Sequence, residues 1–172
     1  MAKKPTNTGD QWIKELEELF QQEKYEELHD KAHQFLSKFG SQDIGYKYVG
    51  LASYHLDLYG AAIEAFSIAI EYNHRKALYF NYRGMATARS ELYERAIENY
   101  NIAIELDPKL AAAYNTRGNA KYNLGQHPIA IEDLNKAIEI DPKRAGAYNN
   151  RGSAKNNLGQ YHAAIEDLNK AI

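Results

Sequence analysis

AAAYNTRGNAKYNLGQHPIAIEDLNKAIEIDPKR (111–144) runs directly into AGAYNNRGSAKNNLGQYHAAIEDLNKAI (145–172). At an offset of 34, 21 of the 28 aligned residues are identical, the mark of a tandem repeat. The same register extends backward without a gap to ALYFNYRGMATARSELYERAIENYNIAIELDPKL from Ala77 and DIGYKYVGLASYHLDLYGAAIEAFSIAIEYNHRK from Asp43. A further step reaches Gly9, where GDQWIKELEELFQQEKYEELHDKAHQFLSKFGSQ keeps the length and the apolar spacing but loses the small-residue positions. The chain therefore divides into a tail (1–8), a divergent capping repeat (9–42), repeats at 43–76, 77–110 and 111–144, and a fifth (145–172) that stops within its second helix.

Within each repeat the apolar residues recur at three- and four-residue spacing in two runs separated by a short polar turn, which predicts helix, turn, helix. Pro108 and Pro142 follow the second runs, where a residue without an N–H ends a helix. Pro128 suits the first turn of a helix.

Small residues hold fixed places: Gly50, Gly84, Gly118 and Gly152 on first helices, with Ala62, Ala96, Ala130 and Ala164 and then Ala69, Ala103, Ala137 and Ala171 on second helices. A glycine inside a helix costs about 1 kcal/mol, so its return at one register implies a packing need. Bulky residues recur beside them: Tyr46, Phe80, Tyr114 and Tyr148 on first helices, Phe66, Tyr100, Leu134 and Leu168 on second ones. Stacked helical pairs with one continuous core follow.

This pattern resembles the tetratricopeptide repeat, with its aromatic, Gly, Tyr, Ala and Pro positions over 34 residues. It is strong from Asp43 to Ile172 and weak from Gly9 to Gln42, where Trp12, Tyr25 and the helix lengths match. The resemblance implies an all-α, right-handed superhelical solenoid of about five antiparallel helix pairs, with the first helices lining a concave groove.

On that resemblance the groove positions fall in two groups. Lys47, Tyr48, Leu51 and Tyr54, with Ile44 and His55, and then Tyr82, Met85 and Arg89, with Leu78, give apolar and aromatic surface suited to anchoring a side chain. Asn81, Asn115 and Asn149 recur once per repeat, joined by Thr116, Asn119, Tyr122, Asn123, Asn150, Ser153, Asn156 and Asn157. An asparagine side chain both donates and accepts, so a ladder of them can pair with the backbone of an extended peptide. Duplication of a tolerated surface residue is the alternative explanation of the ladder.

Some members of the family hold chaperone C-termini with a clamp of Lys, Asn and Arg. Here Lys47 fits, but Leu51 and Tyr82 replace asparagines and Ala112 and Thr116 replace the cations, so the clamp is not expected. Arg117 and Arg151 come with Asp133 and Asp167, Arg83 comes with Asn99, and the repeat with Val49 has Ala65. These positions change together, as pairs within a repeat do, so the arginines are expected to be structural.

A net charge of −2 gives no broad attraction to a phosphate backbone, and nucleic acid is not an expected partner. Cysteine is absent, which excludes disulfides and thiolate chemistry and suits a reducing compartment. No run approaches the roughly 18 apolar residues of a membrane span, so a cytoplasmic location without membrane insertion is expected. His29 and His33 have the spacing that lets two imidazoles share a metal, but no third ligand set is evident. No phosphate-binding loop or nucleophile constellation appears, so neither enzyme activity, nor a metal, nor a cofactor is expected.

The expected function is a protein-interaction adaptor that binds an extended peptide or partner segment. The alternative is structural: Ala164, Ile165, Leu168 and Ile172 form an uncapped apolar end face that drives homo-oligomer assembly.

Overall fold

The computed structural model describes residues 8–171, so the expected tail, Thr8 apart, and Ile172 lie outside the described residues. Every regular element among them is an α-helix. They fall into two compact units, one ending at His74 and one beginning at Arg75. The N-terminal unit contains α1 (Gly9–Gln21), α2 (Tyr25–Phe39), α3 (Asp43–His55) and α4 (Tyr59–Tyr72). The C-terminal unit contains α5 (Ala77–Arg89), α6 (Tyr93–Leu106), α7 (Ala111–Asn123), α8 (His127–Ile140), α9 (Ala145–Asn157) and α10 (Tyr161–Lys170). No described helix is long and apolar enough to cross a membrane.

Each pair closes with the same backbone device. The fifteenth residue of every repeat takes a left-handed conformation, as Glu23, Asp57, Glu91, Gly125 and Gly159. The N–H of the residue after it reaches back five residues, for example from Gln126 to the Lys121 carbonyl at 2.9 Å and from Leu58 to the Ser53 carbonyl at 2.9 Å. This arrangement satisfies helix-end carbonyls that no helical donor reaches. Only the last two repeats place glycine there, where a positive φ carries no Cβ penalty. Asp107 and Asp141 each accept the backbone N–H two residues on, at 3.0 and 3.2 Å, fixing the turns around Pro108 and Pro142.

Within each of the last four pairs the second helix inserts a large side chain over the first-helix glycine. A Cβ on Gly50 would lie 2.6 Å from the Phe66 ring, one on Gly84 2.5 Å from the Tyr100 ring, and one on Gly118 2.8 Å from Leu134 Cγ. Those distances are too short for any real side chain, which explains why glycine holds the register despite its helix cost. Phe66, Tyr100 and Leu134 are buried in consequence, each burial contributing about 1.5–3 kcal/mol. The buried alanines at 62, 69, 96, 103, 130 and 137 let the helices approach closely around them.

In the N-terminal unit Gly45 plays the same part between pairs, since a Cβ there would lie 2.4 Å from Leu36. In the divergent first pair Trp12, Leu16, Leu28 and Phe35 are buried, and Lys31 Nζ lies 3.8 Å above the Trp12 ring.

Candidate functional site

The first helices α5, α7 and α9 pack side by side, so their outward residues share one face of the C-terminal unit. Adjacent helices on that face are tied by polar rungs. Thr116 Oγ1 donates to Asn81 Oδ1 at 2.9 Å, and Asn150 Nδ2 donates to Asn115 Oδ1 at 3.0 Å. Asn157 Nδ2 donates to the Tyr122 hydroxyl at 3.1 Å.

Each rung joins residues 35 apart, one more than the repeat length, because it links a position to the next position of the following repeat. The asparagine ladder is therefore partly consumed by the array itself. Asn81 is 2 % exposed, with its amide nitrogen against Met85 Sδ at 3.5 Å, and does not belong to the accessible surface expected of it. Asn115 is half-buried and keeps Nδ2 without a partner among the described residues, whereas Asn119 and Asn149 stand exposed. Tyr82, Met85, Tyr122, Asn150 and Ser153 are half-buried on the same face, and Arg89 is exposed.

The residues expected in the groove from the N-terminal unit divide in the same way. Tyr48 and Leu51 are buried, which corrects their assignment to an open groove. The Tyr48 hydroxyl donates to Glu17, and that hydrogen bond, with help from Gln21 and Lys47 and against burial, holds the Glu17 carboxyl below the usual range. Lys47 is half-buried with Nζ 4.0 Å from the Tyr48 ring centre, and Tyr54 packs edge-on against His55 and Tyr59.

The arginines are structural. Arg117 donates through Nε and Nη2 to both oxygens of Asp133, at 2.9 and 2.6 Å, and through Nη1 to Asn101 of the preceding repeat at 2.7 Å. Lys121 adds an ion pair to Asp133 at 2.8 Å. Arg151, Asp167, Asn135 and Lys155 repeat the network one unit later. Arg83 keeps the helix-to-helix link through Asn99, which accepts from it at 2.7 Å. Asn101 and Asn135 were missed in the sequence because each serves the next repeat and not its own.

His29 and His33 sit with ring centres 4.6 Å apart, and among the described residues no group of three metal-ligating side chains forms. Two imidazoles alone do not make a structural or catalytic metal site.

At the last helix, Ile165 and Leu168 are exposed together with Tyr161. Ala164 is 2 % exposed beneath Gly152 and so does not belong to the expected end face. Ile172 lies outside the described residues.

The sequence model of the TPR repeat matches residues 91–125 and 118–159. No curated protein matches the chain. Among solved structures, the chain is similar to TTC0263, a thermophilic TPR protein of Thermus thermophilus, at a TM-score of 0.85 and 14% identity over 95% of this chain and 90% of that one. It is also similar to MamA, at 0.74 and 22% identity over 91% of both chains. A third similar structure is YrrB, described as a TPR protein with an unusual peptide-binding site, at 0.67 and 22% identity over 96% of this chain and 86% of that one. These likenesses establish the fold.

Proposed function

The chain is a tetratricopeptide-repeat protein, and we propose that it is a non-catalytic interaction scaffold holding an extended peptide on the first-helix face of its C-terminal unit. The observation that carries this reading is the state of Asn115. Its Oδ1 is engaged by Asn150, which fixes the amide plane, while Nδ2 has no partner among the described residues. An amide held in place by a neighbour loses little entropy on donating to a peptide carbonyl, which favours affinity. Exposed Asn119 and Asn149 supply further donors and acceptors along the face, and half-buried Tyr82, Met85 and Tyr122 supply apolar contact. Peptide binding is within the reach of the fold, and the absence of cysteine fits a cytoplasmic setting.

The test uses a peptide selected from a random display library and measured by fluorescence polarisation. Asn119→Ala with Asn149→Ala removes amides that make no structural bond, so affinity is expected to fall roughly tenfold, about 1.4 kcal/mol, while the helical signal is unchanged. Equal affinity for wild type and double variant would remove the face as the binding site.

A second reading rests on exposed Ile165 and Leu168 beside Tyr161 on α10. Association of copies through these residues predicts that Ile165→Glu shifts the sedimentation coefficient to that of a monomer. A wild-type chain that already sediments as a monomer at high concentration excludes it.

A further inference from the structure

In the fourth and fifth repeats one slot between successive helix pairs is filled by a guanidinium. The Arg117 guanidinium lies over the Tyr114 ring at 5.5 Å, pairs with Asp133 and reaches Asn101 of the preceding repeat. Arg151 does the same over Tyr148 with Asp167 and Asn135. In the second repeat the same register reads Tyr46, Val49, Ser53 and Ala65, and the place of Asn101 is taken by His33 of the first repeat. The aromatic remains, while the arginine, the lysine and the aspartate are all gone.

What is left in the N-terminal unit is a cavity of about 230 Å³, walled by Tyr46, Val49, Ser53 and Ala65, with His29 and His33 from α2 and Glu64 from α4. Ser53 is 0 % exposed and its Oγ has no hydrogen-bond partner among the described residues. Buried hydroxyls are ordinarily satisfied, so an orphan on the wall of a cavity points to a polar group that comes from elsewhere.

We propose that this slot receives the guanidinium of an arginine carried by a basic partner peptide, in the place that the chain's own arginines occupy in later repeats. The lining residues supply acceptors for the fork of donors in the Glu64 carboxylate and an imidazole nitrogen of His33, which stands in the place of the Asn101 carbonyl, and Ser53 Oγ, closed off in the empty slot, joins them by turning about its Cα–Cβ bond. Burial, with His29 beside it and against the pull of Asp30, holds His33 below the ordinary histidine value, so its ring keeps an acceptor nitrogen at neutral pH. Tyr46 supplies a face for the planar cation.

The charge of the unit favours a basic partner. Residues 1–74 hold twelve Asp and Glu against seven Lys and Arg, a net of −5, whereas residues 75–172 hold eleven against fourteen, a net of +3. On a different face of α2, toward α1, Glu15, Glu18, Glu27 and Asp30 line a second depression together with Lys31, and they add to the negative potential of the unit. The site lies wholly in the N-terminal unit, so it stands or falls independently of the peptide face on α5, α7 and α9.

The experiment follows the His29 and His33 imidazole proton signals of the full chain by NMR, during titration with the capped peptide Gly-Arg-Gly and its lysine and citrulline counterparts. The arginine peptide is expected to shift both signals saturably and to bind roughly tenfold tighter than the lysine peptide, with no shift from neutral citrulline. Val49→Arg with Ala65→Asp rebuilds the internal pair and is expected to abolish the shift. Ala61→Ile, which places at the cavity mouth the residue found at the same register in α8, alters an exposed position that leaves folding intact and should weaken binding. Asn119→Ala with Asn149→Ala should leave binding unchanged. Equal shifts from the lysine or citrulline peptide, no saturable shift with arginine, or wild-type binding by Ala61→Ile would each overturn the assignment.

Discussion

Thr116 Oγ1 donates to Asn81 Oδ1 across 2.9 Å, tying α7 to α5 at a point where Asn81 is almost wholly withdrawn from solvent. The equivalent link between Asn150 and Asn115 is the same length within 0.1 Å but sits in half-exposed surroundings. An acceptor left buried without a partner costs about 1–3 kcal/mol, whereas water can replace the partner of an accessible one. Thr116→Val is therefore expected to lower unfolding free energy by about 2 kcal/mol and Asn150→Ala by under about 1 kcal/mol. Urea denaturation of the two variants checks the order, and the reverse order would mean that water reaches Asn81.

The Arg117, Lys121 and Asp133 cluster makes a stronger demand. Asp133→Ala leaves two cations facing each other with side chains 18% and 16% exposed. Removing one partner of a buried ion pair costs about 3–5 kcal/mol, and partial solvent access to both cations places this case near 3 kcal/mol. Asp133→Asn, which still accepts, should lose less. Denaturation midpoints of both variants decide the point.

Asp167 extends that argument to pH. Burial acts to raise its pKa, but hydrogen bonds from Arg151 and Lys155 and their charges outweigh it, so the carboxyl sits below the ordinary aspartate value. A depressed folded-state value means that the unfolded chain binds the proton more readily. The stabilisation is then complete above the unfolded value near pH 4 and is lost as pH falls through the folded value. Between about pH 5 and pH 2 the wild type is expected to lose more stability than Asp167→Asn. Parallel pH profiles would show that Asp167 contributes nothing to acid sensitivity.

Two glycines in one repeat separate packing from backbone conformation. At Gly118 an added Cβ meets Leu134 Cγ at 2.8 Å and the Ala130 carbonyl oxygen at 3.2 Å. Overpacking of this kind costs about 1–3 kcal/mol, offset by about 1 kcal/mol of helix propensity. At Gly125 the added Cβ meets nothing within 4 Å, but φ is +74°, so alanine costs about 1–2 kcal/mol through the backbone alone. Pairing each Gly→Ala with Leu134→Ala in a double-mutant cycle should give strong coupling at Gly118 and none at Gly125. Glu91→Gly, at the same left-handed turn position, should gain about 0.5–1 kcal/mol.

The period, the helix pairs and the Gly118 to Leu134 kind of contact were legible in the sequence because small and large residues recur at one offset and must meet within one repeat. The Arg117 and Asp133 pairing was legible for the same reason, since Val49 and Ala65 change together where it is absent. The rungs were not, because Thr116 and Asn81 differ by 35 and not 34, and a comparison of like positions passes over a bond between unlike ones. The burial of Tyr48 was equally hidden. Its hydroxyl partner, Glu17, belongs to the divergent first repeat, where the register offers no template. The cavity beside Ser53 was half legible: the loss of Arg, Lys and Asp was written in the second repeat, but the inward approach of His29 and His33 was not.

Ser53 gives the last prediction its sign. Its hydroxyl is fully buried without a partner among the described residues, so the folded chain carries a desolvation cost that the unfolded chain does not. Ser53→Ala removes that cost and retains the backbone carbonyl, which accepts from Leu58 N–H at 2.9 Å and closes the turn. The variant is expected to be more stable than wild type by about 1 kcal/mol, with an unfolding midpoint shifted upward in urea. Polar-to-alanine changes at satisfied buried sites move the other way, so a loss of stability would mean that a water already occupies the cavity and bonds to Oγ. A stabilised Ser53→Ala would mark a position where the fold holds a hydroxyl at its own expense, as binding sites do.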